Sequence, residues 1–391
     1  DVSGNGFIQD RGFMLAAVNW ELSKGIQLPS YTDDQGKKRY IEGVGFAAIR
    51  DFVMFLKMAK QDDAGNANPL AGAVKKAIGV GYSQTARFLK TTLIHGFNTN
   101  RGEIVLDGMH IHAGHAGILP IMTAGTGPSS SGNGFPTFRN PNFPNVTVEP
   151  FTYQDIVQKA LDRKENLPKM IVTHTTSDYY IFRTSLSRTG ASGTVDAPIP
   201  QNVRVYDLAG GAHIIMNTKG CKNQPGKLDW HPVMRAVIVR LNEWITTGTL
   251  PPDNNLSPLE ARPGDPMILG SPEAYPESIV MVPKTDEDGN DIGGVRLPEL
   301  EVPLGTYAGN NEPLTSVLCT MSTSFIPFVK SKPKRLRMGD SRLSIRERYK
   351  NKNDYVGQIA QAAWSLVEQG FMLERDAYII IDTVVATKVV K

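Results

Sequence analysis

Cysteine is nearly absent from this 391-residue chain; Cys221 and Cys319 are the only two. Two thiols exclude a disulfide scaffold and a Cys-built zinc site. An excess of either charge is also lacking. Lys and Arg number 42 against 39 Asp and Glu, so the net +3 carries no electrostatic footprint for nucleic acid. No run of roughly 18 apolar residues occurs, which leaves no segment to span a membrane. The chain opens at Asp1 without Met, signal peptide or lead-in strand. What is there is an ordinary folding composition, 40% hydrophobic and 21% charged, which argues against wholesale disorder. The length suits one elaborated α/β core of about 250 residues with an attached part.

Before residue 250, short apolar runs alternate with helical patterns. Phe13–Val18 reads as a buried strand after a helical turn. Tyr40–Ala59 reads as a helix, with Val44, Ala47, Ala48, Phe52, Leu56 and Met58 near one stripe. Ala77–Val80 is an expected strand, followed at once by a helix over Gln84–His95. Ile104–Leu106, Met170–Thr173 and Val203–Leu208 are further expected strands. Trp230–Thr247 closes the series as a helix with Val233, Val237, Leu241 and Trp244 on one side. This alternation predicts a mostly parallel sheet covered by helices on both faces. Thr123–Pro144 has no apolar periodicity and reads as a long loop, of the kind that borders a site. A Pro-rich run over Leu250–Pro276 reads as a linker or surface connection. Beyond it come short strands around an Asp288-Gly289 turn, a basic stretch, and a helix at Tyr355–Glu368.

The chemistry begins at Gly81-Tyr82-Ser83-Gln84-Thr85. An expected strand runs into it and an expected helix leaves it. That is the setting of a nucleophile elbow, where a serine on a sharp turn presents its hydroxyl above the sheet. The next backbone N–H, that of Gln84, then points where an oxyanion would form. A serine nucleophile needs a base and an orienting acid, in the chain order Ser, acid, His. Three of the seven histidines follow residue 150. His213 lies in a Gly-rich loop directly after the strand ending at Leu208, where a ring can hang over the elbow. His231 opens a helix and reads as a surface or capping residue. His174 follows a strand in Thr-His-Thr-Thr-Ser-Asp178, and that loop supplies the best acid, Asp178. Asp178 alone also suits a helix cap.

Several segments together carry a family resemblance. They include Asn68-Pro-Leu-Ala-Gly72, Gly81–Lys90, Gly96-Phe-Asn98, Asp107-Gly108 and Asn202–Tyr206 with Ala209-Gly210 and His213. Asp286–Arg296 (DEDGNDIGGVR), Pro303–Tyr307 and Ser344–Tyr349 continue it in register. The chain thus resembles a family of bacterial alpha/beta hydrolase domain proteins over nearly its whole length. The resemblance implies an α/β-hydrolase fold and a serine esterase, often exported, with Ser83 as nucleophile, Asp178 as acid and His213 as base. The family usually shows Ser-Gly where this chain has Thr85-Ala86, and usually Glu at the position of Asp178.

Three further features have plainer readings. His110, His112 and His115 invite a metal, but only Asp107 stands nearby as a carboxylate, so no metal and no cofactor are expected. His112 and His115, with Tyr82 and Trp20, are expected to line the substrate pocket. Asp286-Glu-Asp288-Gly-Asn290 starts like a calcium loop, yet Asp291 and Leu297 stand where Gly and a carboxylate are needed, so a hairpin turn is expected. Lys330–Lys352 holds ten Lys/Arg against Asp340 and Glu347 without interleaved stacking aromatics, and reads as a solvated face.

The expected protein is therefore an esterase with a catalytic core over residues 1–250, in which 108–150 form a pocket-lining insertion. Residues 251–391 form a C-terminal extension. A binding protein on the same fold, or an acyltransferase using the same triad, are the alternatives. The expected substrate is a small or polymeric ester, and the expected compartment is extracellular or periplasmic, where Cys221 and Cys319 can pair. If Ser83 follows the fifth strand of such a sheet, Phe13–Val18 would be the fourth. The first three would lie upstream of Asp1, so an N-terminal segment or another chain would complete the sheet.

Overall fold

The computed structural model describes residues 6–18, 30–40, 43–119, 151–190, 193–217, 219–263 and 279–387. Among the described residues four strands assemble into one parallel sheet, the two central ones buried on both faces. Its strands are β1 (Ile78–Tyr82), β2 (Gly108–His112), β3 (Lys169–Thr175) and β4 (Val203–Leu208), hydrogen-bonded in the order β1-β2-β3-β4. The pleat sends alternate residues to opposite cores. Met170 and Val172 of β3, with Val203 and Val205 of β4, join Phe88, Leu89, Leu93 and Ile156 on one face. Ile171 and Tyr206 join Val233, Val237, Leu241 and Trp244 on the other.

The first face is covered by helices α1 (Val44–Met58), α2 (Gln84–Ile94) and α3 (Tyr153–Asp162), whose side chains share its core. The second is covered by α4, the long helix His231–Thr246, with Ala363 and Leu366 of α5 (Lys352–Glu368) and Ala377 of α6 (Glu374–Ala386) in the same core. Beyond residue 250 the chain also runs along the outer edge of β4. Asn255 N–H donates to the Val205 carbonyl at 3.0 Å, and Val295 N–H to the Asp207 carbonyl at 2.7 Å. These bonds cover a sheet edge that would otherwise be unpaired. Cys221 and Cys319 are joined as a disulfide. No helix among the described residues is long and apolar enough to cross a membrane.

Three expectations are corrected. Phe13–Val18 is not a strand; Met14 and Leu15 are 57% and 54% exposed and Val18 42%. An apolar run becomes a strand only where a neighbour pairs with it; this run follows the turn Phe7–Asp10, with Phe13 N–H bonded back to Ile8, and has no strand partner among the described residues. The Ile104–Leu106 strand is replaced by a small hairpin of Thr99–Asn100 with Glu103–Ile104, and the sheet strand begins at Gly108. Asp107 sets that start. Its carboxylate accepts the Ala77 N–H and pairs with Lys57 and Lys76, aligning the beginnings of β1 and β2. Finally, α1 turns Phe46, Ile49, Val53 and Met54 inward, whereas Phe52 and Met58 face solvent. Phe46 stacks on Phe88 at 4.5 Å between ring centroids, which sets the helix's rotation. Trp20, the Thr123–Pro144 loop and the end of the Pro-rich run lie outside the described residues.

Candidate active site

The elbow is built by close approach. β1 ends at Tyr82 and α2 begins at Gln84, leaving Ser83 with φ 54° and ψ −112°. A serine at positive φ carries strain of about 1–3 kcal/mol, which the surrounding structure must hold in place. The Ser83 N–H is tied to the His112 carbonyl of β2 at 2.9 Å. A Cβ on Gly81 would lie 2.5 Å from the Thr85 carbonyl oxygen and 2.7 Å from Ala86 Cα, so only glycine fits there. The residue packed into the sheet on the helix side is the fully buried Ala86, against which Gly114 also sits. Thr85 points outward.

His213 reaches this turn from the loop after β4. Its Nε2 is 3.1 Å from Ser83 Oγ, and its Nδ1 is 2.5 Å from Asp178 Oδ1. Asp178 lies in the first turn of the helix Thr176–Phe182, which leaves the C-terminal end of β3. Its other oxygen accepts the Thr175 N–H at 2.8 Å. Burial pushes the Asp178 carboxyl up, but the His213 imidazole and the Thr175 N–H outweigh burial and hold it below the ordinary carboxylate range. The capping role and the partnership with His213 are therefore filled by one side chain using two oxygens.

The backbone around His213 is pinned from several directions. Ser177 Oγ accepts the His213 N–H at 2.6 Å, and Trp230 Nε1 donates to the Ala212 carbonyl at 3.0 Å. The Tyr82 hydroxyl donates to the His213 carbonyl. The Phe182 ring meets the imidazole edge-on at 4.8 Å, and Tyr82 flanks it at 5.3 Å. Neither Ser177 nor Trp230 carries a sequence motif for this role; the hydroxyl-rich run before Asp178 is the signal available for Ser177.

The other histidines are placed differently. His110 and His112 both lie on β2 and share one face, each with a ring nitrogen on Thr173 Oγ1, at 3.0 and 2.8 Å. His112 also packs 4.5 Å from Trp230 and 5.1 Å from Tyr82, beneath the elbow. His115 Nδ1 accepts the Gly117 N–H at 3.0 Å, and its ring stacks on Phe182. Burial pushes the imidazoles of His112 and His115 well down, and that of His110 to about 3, so they are neutral. Among the described residues, no three His, Cys, Asp or Glu side chains group as a metal site. His174 lies within β3, its ring nitrogens bonded to the Tyr153 hydroxyl and to Asp207. His231 stands half-exposed at the start of α4, bonded to Asp229. A small crevice beside Tyr153, Arg188 and Asp196 is lined by none of Ser83, Asp178 or His213.

A parallel sheet with a serine after one strand, an acid after the next but one and a histidine after the following strand defines the α/β-hydrolase class of architecture. The alpha/beta hydrolase domain family matches residues 16–382, and the chain belongs to it. No curated protein and no solved structure matches the chain.

Proposed function

We propose that the protein is a serine hydrolase of carboxylic esters. The observation that carries this reading is the position of the His213 ring, bonded to Ser83 Oγ through one nitrogen and to Asp178 through the other. His213 Nε2 takes the Ser83 proton as Oγ attacks the ester carbonyl, and the imidazolium then gives that proton to the departing alkoxide. Water adds to the acyl-enzyme by the same route, its proton passing to His213 and then back to Ser83 as the acid leaves. Asp178 keeps the proton on Nδ1 and stabilises the imidazolium; its depressed carboxyl pKa keeps it charged for this role. The Gln84 N–H, at the first position of α2, is the proposed oxyanion donor, a contribution of roughly 3 kcal/mol to the barrier. Tyr82, His112 and His115 form the proposed wall beside the ring. An extracellular or periplasmic enzyme is the setting that the Cys221–Cys319 disulfide favours. Hydrolysis of short p-nitrophenyl esters by the wild type, abolished in Ser83→Ala, is the expected result. A folded wild type inactive across a panel of acyl lengths would count against the proposal.

A further inference from the structure

Asp291 belongs to the Asp286–Arg296 segment, whose turn the proposed chemistry does not use. Asp286 Oδ1 accepts the N–H groups of Asp288 and Asn290, each at 2.9 Å, and Thr285 pairs with Asp291 across the turn. The turn delivers Asp291 into the interior, where it is 1% exposed. Its Oδ2 accepts the Gly210 N–H at 2.9 Å and the Thr176 hydroxyl proton. Thr176 Oγ1 in turn accepts the same Gly210 N–H at 2.8 Å. Arg296 donates to the Asp291 backbone carbonyl, and no Lys or Arg forms a salt bridge with the carboxylate among the described residues. The carboxylate's bonds therefore go to the two elements just named.

Those elements carry the two partners of the His213–Asp178 bond. Thr176 opens the helix that holds Asp178, and Gly210 lies in the loop that holds His213. The loop runs Gly210-Gly211-Ala212, with Gly210 at φ 66°, so its backbone is cheap to rearrange unless held. A buried carboxylate whose ligands are spread over these two elements has a packing role that a neutral hydrophobic residue would not fill.

We infer that Asp291 is a positioning residue: through Thr176 and Gly210 it holds the acid-bearing helix and the base-bearing loop at their bonding separation. The catalytic consequence rests on the hydrolase reading above, whereas the placement of the imidazole does not. The residue also ties the chain beyond 250 to the reacting centre, so this segment is part of the machinery that shapes it.

The test compares wild type, Asp291→Ala and Asp291→Asn, the last keeping an acceptor oxygen. Three readouts are taken: the unfolding midpoint, kcat and KM on a p-nitrophenyl ester, and the far-downfield proton resonance of the His213 Nδ1–H, assigned by its loss in His213→Gln. In folded Asp291→Ala the resonance is expected to shift or vanish and kcat to fall roughly tenfold or more, with KM changed by less than about threefold. Asp291→Asn is expected to restore both. An alanine variant that keeps the wild-type resonance, or an asparagine variant as impaired as alanine, overturns the inference. Where alanine does not fold, Thr176→Val carries the same test, and an unchanged resonance there also overturns it. A wild type that shows the resonance but cleaves no ester removes the hydrolase reading, and the resonance arm still decides the role of Asp291.

Discussion

Thr85 Oγ1 accepts the Tyr82 N–H at 2.8 Å and donates back to the Tyr82 carbonyl at 2.9 Å. One hydroxyl thus closes the turn that presents Ser83. The resemblance implies Ser-Gly where this chain has Thr85-Ala86. Here the close approach is met by Ala86, and the threonine instead latches the last residue of β1 to the first turn of α2.

Replacing that latch separates the two roles. Thr85→Val keeps the shape and removes both bonds, and is expected to cost about 1 kcal/mol of stability. Ester turnover should fall several-fold, and Thr85→Ser should recover most of it. Urea unfolding and kcat measured on the three proteins check this.

Much of this was legible in the sequence. The Gly-Tyr-Ser turn, the β3 and β4 strands and the α4 stripe of Val233, Val237, Leu241 and Trp244 stand where periodicity and turn chemistry place them. The order Ser83, Asp178, His213 pointed to three residues that the fold brings into one hydrogen-bonded line. What was not legible depends on neighbours distant in the chain. Gly108–His112 has poor strand composition and becomes a central strand because β1 and β3 pair with it on both sides. Phe13–Val18 has good strand composition and no strand partner among the described residues. Asp291 reads locally as part of a turn, and its two ligands come from segments 81 and 115 residues away.

The pH dependence of stability should carry a signature of Asp291. Burial raises its carboxyl pKa from 3.8 to about 6, against which the Thr176 and Gly210 bonds act. A raised carboxyl pKa means the fold prefers the protonated form. Its contribution is therefore full below pH 4 and is lost as pH rises through about 6. Asp291→Asn, which cannot ionise, should gain roughly 2–3 kcal/mol over wild type above pH 7 and lose that advantage below pH 4. Denaturant midpoints across this range test the sign; a pH-independent difference would count against it.

The disulfide offers a separate test of the chain after His213. Cys221 and Cys319 lie 98 residues apart, and Ile214 N–H donates to the Met321 carbonyl beside the second cysteine. Chain-entropy arithmetic for so long a loop gives about 4–5 kcal/mol. The Cys221→Ser/Cys319→Ser protein should unfold at markedly lower temperature, and intact mass without reductant should show the wild type two hydrogen atoms lighter than its reduced form.

The most direct test of the central claim is covalent labelling by a fluorophosphonate, followed by peptide mapping. The account predicts modification of Ser83 in the wild type, none in Ser83→Ala, and labelling slowed by several orders of magnitude in His213→Ala. Asp178→Asn should slow it comparably, because the imidazole loses the partner that fixes its tautomer. A folded wild type that does not react, or that is modified at a residue other than Ser83, would contradict it.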